Sequence, residues 1–278
     1  MSSVGDSRGR RWFESLSGMS SSVGSGSING PRTVLAVDAP LGNETARFLA
    51  VVPDPNNRFP RARHGEVGLD EASTLARHVR HAMRADDGRV RRPIIAIVDV
   101  SSQAYGRREE LLGIHFAGAA AADAYASARL AGHPVIALLV GKAMSGAFLS
   151  HGYQANRILA LDSPEVLIHA MGKEAAARVT RRSVEELEEL GARIPPMAYD
   201  VRAFAKLGLL HGLIEGVNAD TPTPSDVERV RQELIEAVAD ARAGARDLSS
   251  RLSSRQARHT RAASILVRQR LTEQWNDS

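Results

Sequence analysis

The chain has 278 residues, is 43% hydrophobic and carries a formal net charge of +4, so it can bury a substantial core without being strongly charged. No apolar run approaches the roughly 20 residues that cross a bilayer, and a soluble, cytoplasmic protein with no membrane partner is expected. The absence of cysteine excludes disulfides, thiolate chemistry and cysteine-ligated metal centres.

The nine histidines are scattered, with no i, i+4 pair to place two ligands on one helix face, so no metal site is expected. Of 36 basic residues only Lys142, Lys173 and Lys206 are lysines. The arginines are interleaved with Asp and Glu instead of forming runs, which argues against a nucleic-acid surface.

Residues 1–30 include the Ser- and Gly-rich stretch "GMSSSVGSGSING" and read as a flexible N-terminal segment. A single α/β domain is expected over 31–222. "RTVLAVDAP" and "ARFLAVVPD" read as two strands, and "PDPNNRFPRARHGEVG", with its prolines and paired asparagines, as a loop. In "LDEASTLARHVRHAM" the apolar positions Leu69, Ala72, Leu75, Ala76, Val79 and Met83 recur at helical spacing. "PIIAIVDV" and "PVIALLV" are continuous aliphatic runs, as expected of strands covered on both faces. Between them "REELLGIHFAGAAAADAYASARLAG" is long enough for a crossover helix and small enough to pack closely. "SGAFLSHGYQA" predicts a further helix, "RILAL", "EVLIHAM" and "LLHGLIEG" short strands, and "SVEELEELGA" a helix capped by Ser183 with Glu186 three residues on. Residues 223–278 predict a helical extension that packs on the domain edge or on a partner.

Two segments after strand ends carry candidate chemistry. "DVSSQAYGRREE" puts Gly106 just before a helix, and "GKAMSG" puts Gly146 just inside the next one. Turns need glycine in any case, but two such glycines on successive strand ends of one β-α-β unit can aim N–H groups into a shared crevice. Ser145 is the other possibility, as a nucleophile.

The ordered stretches "ARFLAVVPDPNNRFPRARHGEVGLDEA", "DVSSQAYGRREELLGIHFAGAAAADAYASARLAGHPVIALLVGKAMSGAFLSHGYQANRILAL" and "MGKEAAARVTRRSVEELEELGARIPPMAYDVRAFAKLGLLHGLIEG" resemble the carboxyltransferase branch of the crotonase-like superfamily. The detailed match is to the gamma subunits of biotin-independent malonate decarboxylases, over roughly residues 32–217. The resemblance implies a crotonase-like spiral of β-β-α units with a helical C-terminal extension, paired with a homologous beta subunit at whose interface the active site lies. It implies a malonyl thioester as substrate, carried on the phosphoribosyl-dephospho-CoA arm of an acyl carrier protein, with no cofactor bound by this chain. The family's two loops fall on Gln103 to Gly106 and Met144 to Gly146. Gly106, Ser145 and Gly146 are therefore the expected oxyanion groups, and Gln103, Tyr105 and Met144 the expected substrate contacts. Two departures stand out: Ala147 occupies the place of a second glycine, and "SSQAYG" replaces a P-G-A-Y/F-P-G turn.

Two other readings remain open at this level. The stretch "GKAMSGAFLSHG" also resembles the Clp-type serine peptidases, with Ser145, His169 in "VLIHAM", and Asp162 or Asp220 as a third member. Alternatively, the chain is a non-catalytic scaffold for a subunit that holds all the chemistry.

Overall fold

The computed structural model describes residues 7–19 and 29–276. The flexible segment expected over 1–30 is corrected over Arg8–Ser17, which forms a helix, α1. Ser7 caps it by accepting the Arg10 N–H at 3.2 Å, and Gly18 closes it in the left-handed region at φ 69°. Helix formation is driven by one apolar face: Trp12, Phe13 and Leu16 are buried against the sheet, and the indole N–H donates to Ala219 O at 3.0 Å. Residues 1–6 and 20–28 of that expectation lie outside the described residues.

Strands β1 (Val34–Leu41) and β2 (Glu44–Val51) form an antiparallel hairpin. Its two-residue turn places Gly42 at φ 60°, a conformation that suits glycine. Helix α2 (Leu69–Ala85) buries Ala72, Leu75, Ala76 and Val79 of the anticipated face together with Ala82, while Leu69 and Met83 at its ends are half-buried. Strand β3 (Ile94–Val100) pairs parallel to β2, and β4 (Val135–Met144) parallel to β3. Ile94 through Val98 and Val135 through Val140 are all 0% exposed, so both faces are covered and the continuous aliphatic runs are explained. The crossover between them is not one helix but two, α3 (Arg107–Leu111) and α4 (Ile114–Leu130), because Gly113 at φ 82° breaks the run.

Helix α5 (Ser145–Ser150) follows β4 directly, and β5 (Arg157–Leu161) pairs with the first part of β4. The expected strand "EVLIHAM" contracts to β6 (Ile168–His169), which pairs with Ala143 and Met144 at the far end of β4. Helices α6 (Lys173–Thr180), α7 (Val184–Arg193) and α8 (Val201–Lys206) lead to β7 (Gly212–Ile214) beside β5. Ser183 caps α7 as expected, its hydroxyl accepting the Glu186 N–H at 3.1 Å while its own N–H donates to Glu186 Oε2 at 2.7 Å. Among the described residues the sheet runs β1-β2-β3-β4-β5-β7, with β6 on β4.

The C-terminal part divides in two. Helix α9 (Pro224–Ala243) covers the domain edge, burying Val230, Leu234, Ala237, Val238 and Ala241, and pairs Asp240 with Arg157 of β5. Short helices α10 (Ser250–Ser253) and α11 (Arg255–Thr260) precede α12 (Ala262–Asn276), which has no buried residue and exposes Leu266, Val267, Leu271 and Trp275.

Candidate active site

Most of "GKAMSG" does not follow a strand end, as its sequence suggests, but is itself strand. Strand β4 continues through it to Met144, since Ala143 and Met144 find backbone partners in β6. The chain then passes from strand to helix in one residue: Met144 is extended (φ −114°, ψ 140°) and Ser145 takes φ 60°. A left-handed non-glycine residue is uncommon and costs roughly 1–3 kcal/mol, so such residues tend to mark functional sites. Met144 itself is buried, at 5% exposure.

The two glycines of the stretch have different reasons. A Cβ at Gly141 would lie 2.1 Å from Asp99 Oδ1. Asp99 sits where the β3–β4 register shifts, and its carboxylate accepts the Lys142 N–H at 3.2 Å and the Gly9 N–H of α1 at 3.1 Å. A Cβ at Gly146 would instead meet the Gln103 carboxamide, 3.0 Å from Oε1.

The segment from Ser101 to Gly106 is held by backbone pairing with the loop before α2. Val67 N–H donates to Ser102 O at 3.0 Å and Ala104 N–H to Val67 O at 2.9 Å. That loop is fixed in turn by the buried Glu71, whose carboxylate accepts the Gly68 N–H at 3.0 Å, the Thr33 hydroxyl at 2.5 Å and an Asn57 amide N–H at 2.8 Å. Burial raises the Glu71 carboxyl above its ordinary range, against the pull of these donors. None of this pairing had a local signal in the sequence; "GEVG" offers only turn chemistry.

Two hydrogen bonds then join the segments. Gln103 Oε1 accepts the Gly146 N–H at 2.7 Å, and the Tyr105 and Ser145 hydroxyls lie 3.0 Å apart. Gln103 and Gly146 line a cavity of about 490 Å³ walled by Gly118, Ala119 and Ala122 of α4. Ser145 and Gly146 line a second, of about 350 Å³, which shares Leu149 and Tyr153 with the first. Gly106 lines neither cavity. Its position is covered by the buried Glu109, whose Oε2 a Cβ there would meet at 2.1 Å. Of the six expected site residues, Gln103, Ser145 and Gly146 thus line the cavities at the β4–α5 turn, Tyr105 and Met144 adjoin Ser145 without lining either, and Gly106 lies outside both cavities.

A serine-peptidase triad is not assembled. His169 lies beside Met144 in the sheet and lines the smaller cavity, but its Nδ1 is 3.1 Å from Met171 O and its ring stacks on Tyr199 at 4.0 Å. Asp162 is paired with Arg202 and Asp220 with Arg8. Among the described residues neither carboxylate bonds His169, and Ser145 Oγ meets Tyr105 instead. His151 is structural as well: fully buried, it lies 3.0 Å from Ile97 O through Nε2 and 2.9 Å from the Tyr125 hydroxyl through Nδ1. Burial pushes its pKa down to about 4, so it is neutral, with Nε2–H donating and Nδ1 accepting.

Comparison with known proteins adds identity to this geometry. The model of the malonate decarboxylase gamma subunit family matches residues 62–275. The malonyl-S-ACP:biotin-protein carboxyltransferase MADD of Malonomonas rubra is 38% identical over 194 residues, which are 68% of this chain and 66% of that protein. The match thus spans slightly less than two thirds of that relative. A chain of the Pseudomonas malonate decarboxylase hetero-tetramer in complex with coenzyme A superposes with a TM-score of 0.91 at 55% identity, covering 97% of this chain and 100% of its own. A chain of the Pseudomonas MdcD-MdcE hetero-dimer gives 0.88 at 54%, with the same coverage. The crotonase-like α/β fold expected from the sequence stands, and the chain belongs to the malonate decarboxylase gamma subunit family.

Proposed function

We propose that this chain works with a homologous subunit to decarboxylate a malonyl thioester on an acyl carrier protein, the thioester arm being a phosphoribosyl-dephospho-CoA group. The hetero-dimeric and hetero-tetrameric Pseudomonas assemblies and the coenzyme A bound in one of them support the partner and the thioester class. In the reaction the bond from the α carbon to the carboxylate breaks, carbon dioxide leaves, and the electron pair is shared between the α carbon and the thioester oxygen until a proton arrives at carbon. Fixed N–H donors that meet this oxygen lower the barrier, because they interact more strongly with the developing charge than with the neutral carbonyl. One such donor is worth about 2.7–4 kcal/mol.

The observation that carries this reading is the Gly146 N–H. It lies at a strained strand-to-helix turn, borders both cavities, and already holds an oxygen, that of Gln103, at 2.7 Å. Ser145 contributes backbone in this scheme, and its hydroxyl is dispensable. Ser145→Ala is expected to keep most of the carbon dioxide release of the reconstituted complex, whereas Gly146→Val loses at least a hundredfold by crowding the oxygen position. Covalent labelling of Ser145 by a fluorophosphonate, or a folded Ser145→Ala complex without activity, would overturn it.

The name of the Malonomonas relative favours a second reading, in which the carboxyl group passes to a biotin protein. Avidin separates the two. Carbon dioxide release that avidin leaves unchanged supports direct decarboxylation; loss of release on avidin addition supports transfer.

A further inference from the structure

Gln103 carries the inference furthest. Its backbone is pinned on both sides by the pairing of Val67 with Ser102 and Ala104. Its side chain is long, partly exposed and lies in the larger cavity. Oε1 holds the Gly146 N–H at 2.7 Å, the distance of a well-made hydrogen bond. The fit is specific to glycine at 146: a Cβ there would stand 3.0 Å from Oε1, 3.1 Å from Cδ and 3.3 Å from Nε2. Gly146 therefore makes room for the carboxamide as well as for any substrate.

We infer that Gln103 is a positioning residue whose carboxamide oxygen occupies the substrate-oxygen site of the empty enzyme and is displaced when the thioester oxygen takes the Gly146 N–H. This rests on the reading of that N–H as the donor to the thioester. An amide oxygen and a thioester oxygen are both sp² acceptors, so one N–H serves either, but not both in line. The backbone around Gln103 is tied into the sheet-like pairing with Val67, so the displacement falls on the side-chain torsions. The resting bond keeps the donor aimed into the site and out of contact with other acceptors. Its removal by substrate is a ground-state penalty, which appears in KM and leaves kcat untouched.

Three variants in the co-purified complex test this, with malonyl-S-carrier protein as the probe. Gln103→Met keeps the length of the side chain and lacks the acceptor, so KM is expected to fall about fivefold at unchanged kcat, the scale of one hydrogen bond's net worth. Gln103→Glu offers a charged acceptor that holds the N–H more strongly, so KM rises by about tenfold or more. A purely structural role moves both variants the same way, and a role in binding substrate directly makes Gln103→Met raise KM. Either result would overturn the inference. Hydrogen exchange of the peptide around Gly146 supplies a readout apart from activity: it is faster in Gln103→Met than in the parent complex, and equal rates would count against the inference. Gly146→Val separates the two levels. If that complex keeps full activity, the donor reading itself fails; if it is inactive while Gln103→Met leaves KM unchanged or higher, only the displacement fails.

Discussion

Replacing Gly141 by alanine should unlatch the N-terminal helix from the sheet, although no residue of the helix is changed. The backbone at 141 does not require a left-handed conformation, so strain is not the issue. The added methyl would stand 2.1 Å from Asp99 Oδ1 and 2.6 Å from Cγ, distances that real atoms do not sustain, and the carboxylate has to move. It then gives up the Gly9 N–H at 3.1 Å and the Lys142 N–H at 3.2 Å. Two hydrogen bonds to a partly solvated carboxylate amount to about 2–3 kcal/mol in sum. For a chain of this size that corresponds to a fall of about 4–6 °C in Tm. Thermal unfolding measures the loss. Its location is read from Trp12 fluorescence in a Trp275→Phe background, where Trp12 is the remaining one of the two tryptophans. Asp99→Ala provides the control: it forfeits the same two bonds, so adding Gly141→Ala to it should cost less than about 1 kcal/mol. A Gly141→Ala protein that melts within a degree of the parent refutes the reasoning, and so does a full, additive cost on top of Asp99→Ala.

Trp12→Ala should destabilise by about 3–5 kcal/mol, because it empties a fully buried site and leaves Ala219 O without its indole donor; trypsin cleavage at Arg8, Arg10 and Arg11 should accelerate in parallel. Stability should fall with acid between pH 6.5 and about 4, since the unfolded His151 takes a proton over this window and the folded one does not; the full effect is about 3 kcal/mol, and a Tm–pH curve that is flat there contradicts it. Ser145→Gly should leave stability within about 1 kcal/mol of the parent, relief of the φ 60° conformation offsetting the extra entropy of the unfolded glycine; a loss above about 2 kcal/mol in urea unfolding would show that the Tyr105 contact matters more than the turn.

Much of the architecture was legible because it is locally encoded. Aliphatic runs such as "PIIAIVDV" and "PVIALLV", short, rich in Ile and Val and each led by Pro, read as strands buried on both faces, and Leu75, Ala76 and Val79 share a face on a helix. Ser183 with Glu186 marks a helix start through bonds within one turn. The long ordered match also indicated the family and placed Ser145 and Gly146 at a strand-to-helix turn. What the linear pattern could not convey were partners brought together from far along the chain. The end of β4 depended on Ile168 and His169 arriving to pair with Ala143 and Met144, so "GKAMSG" reads as loop until β6 is in place. Trp12 and Leu16 look like scattered apolar residues beside a Ser/Gly-rich stretch until the sheet offers them a surface and Asp99 offers Gly9 an acceptor. The serine–histidine likeness dissolves for the same reason, since spacing says nothing of the Met171, Tyr199, Arg202 and Arg8 contacts that engage His169, Asp162 and Asp220. The occupant of the Gly146 N–H is likewise a side chain on another strand end, and only the tertiary pairing of Val67 with the Gln103 segment brings it there. Local propensity is a property of neighbours in sequence, whereas the aim of a donor is a property of neighbours in space.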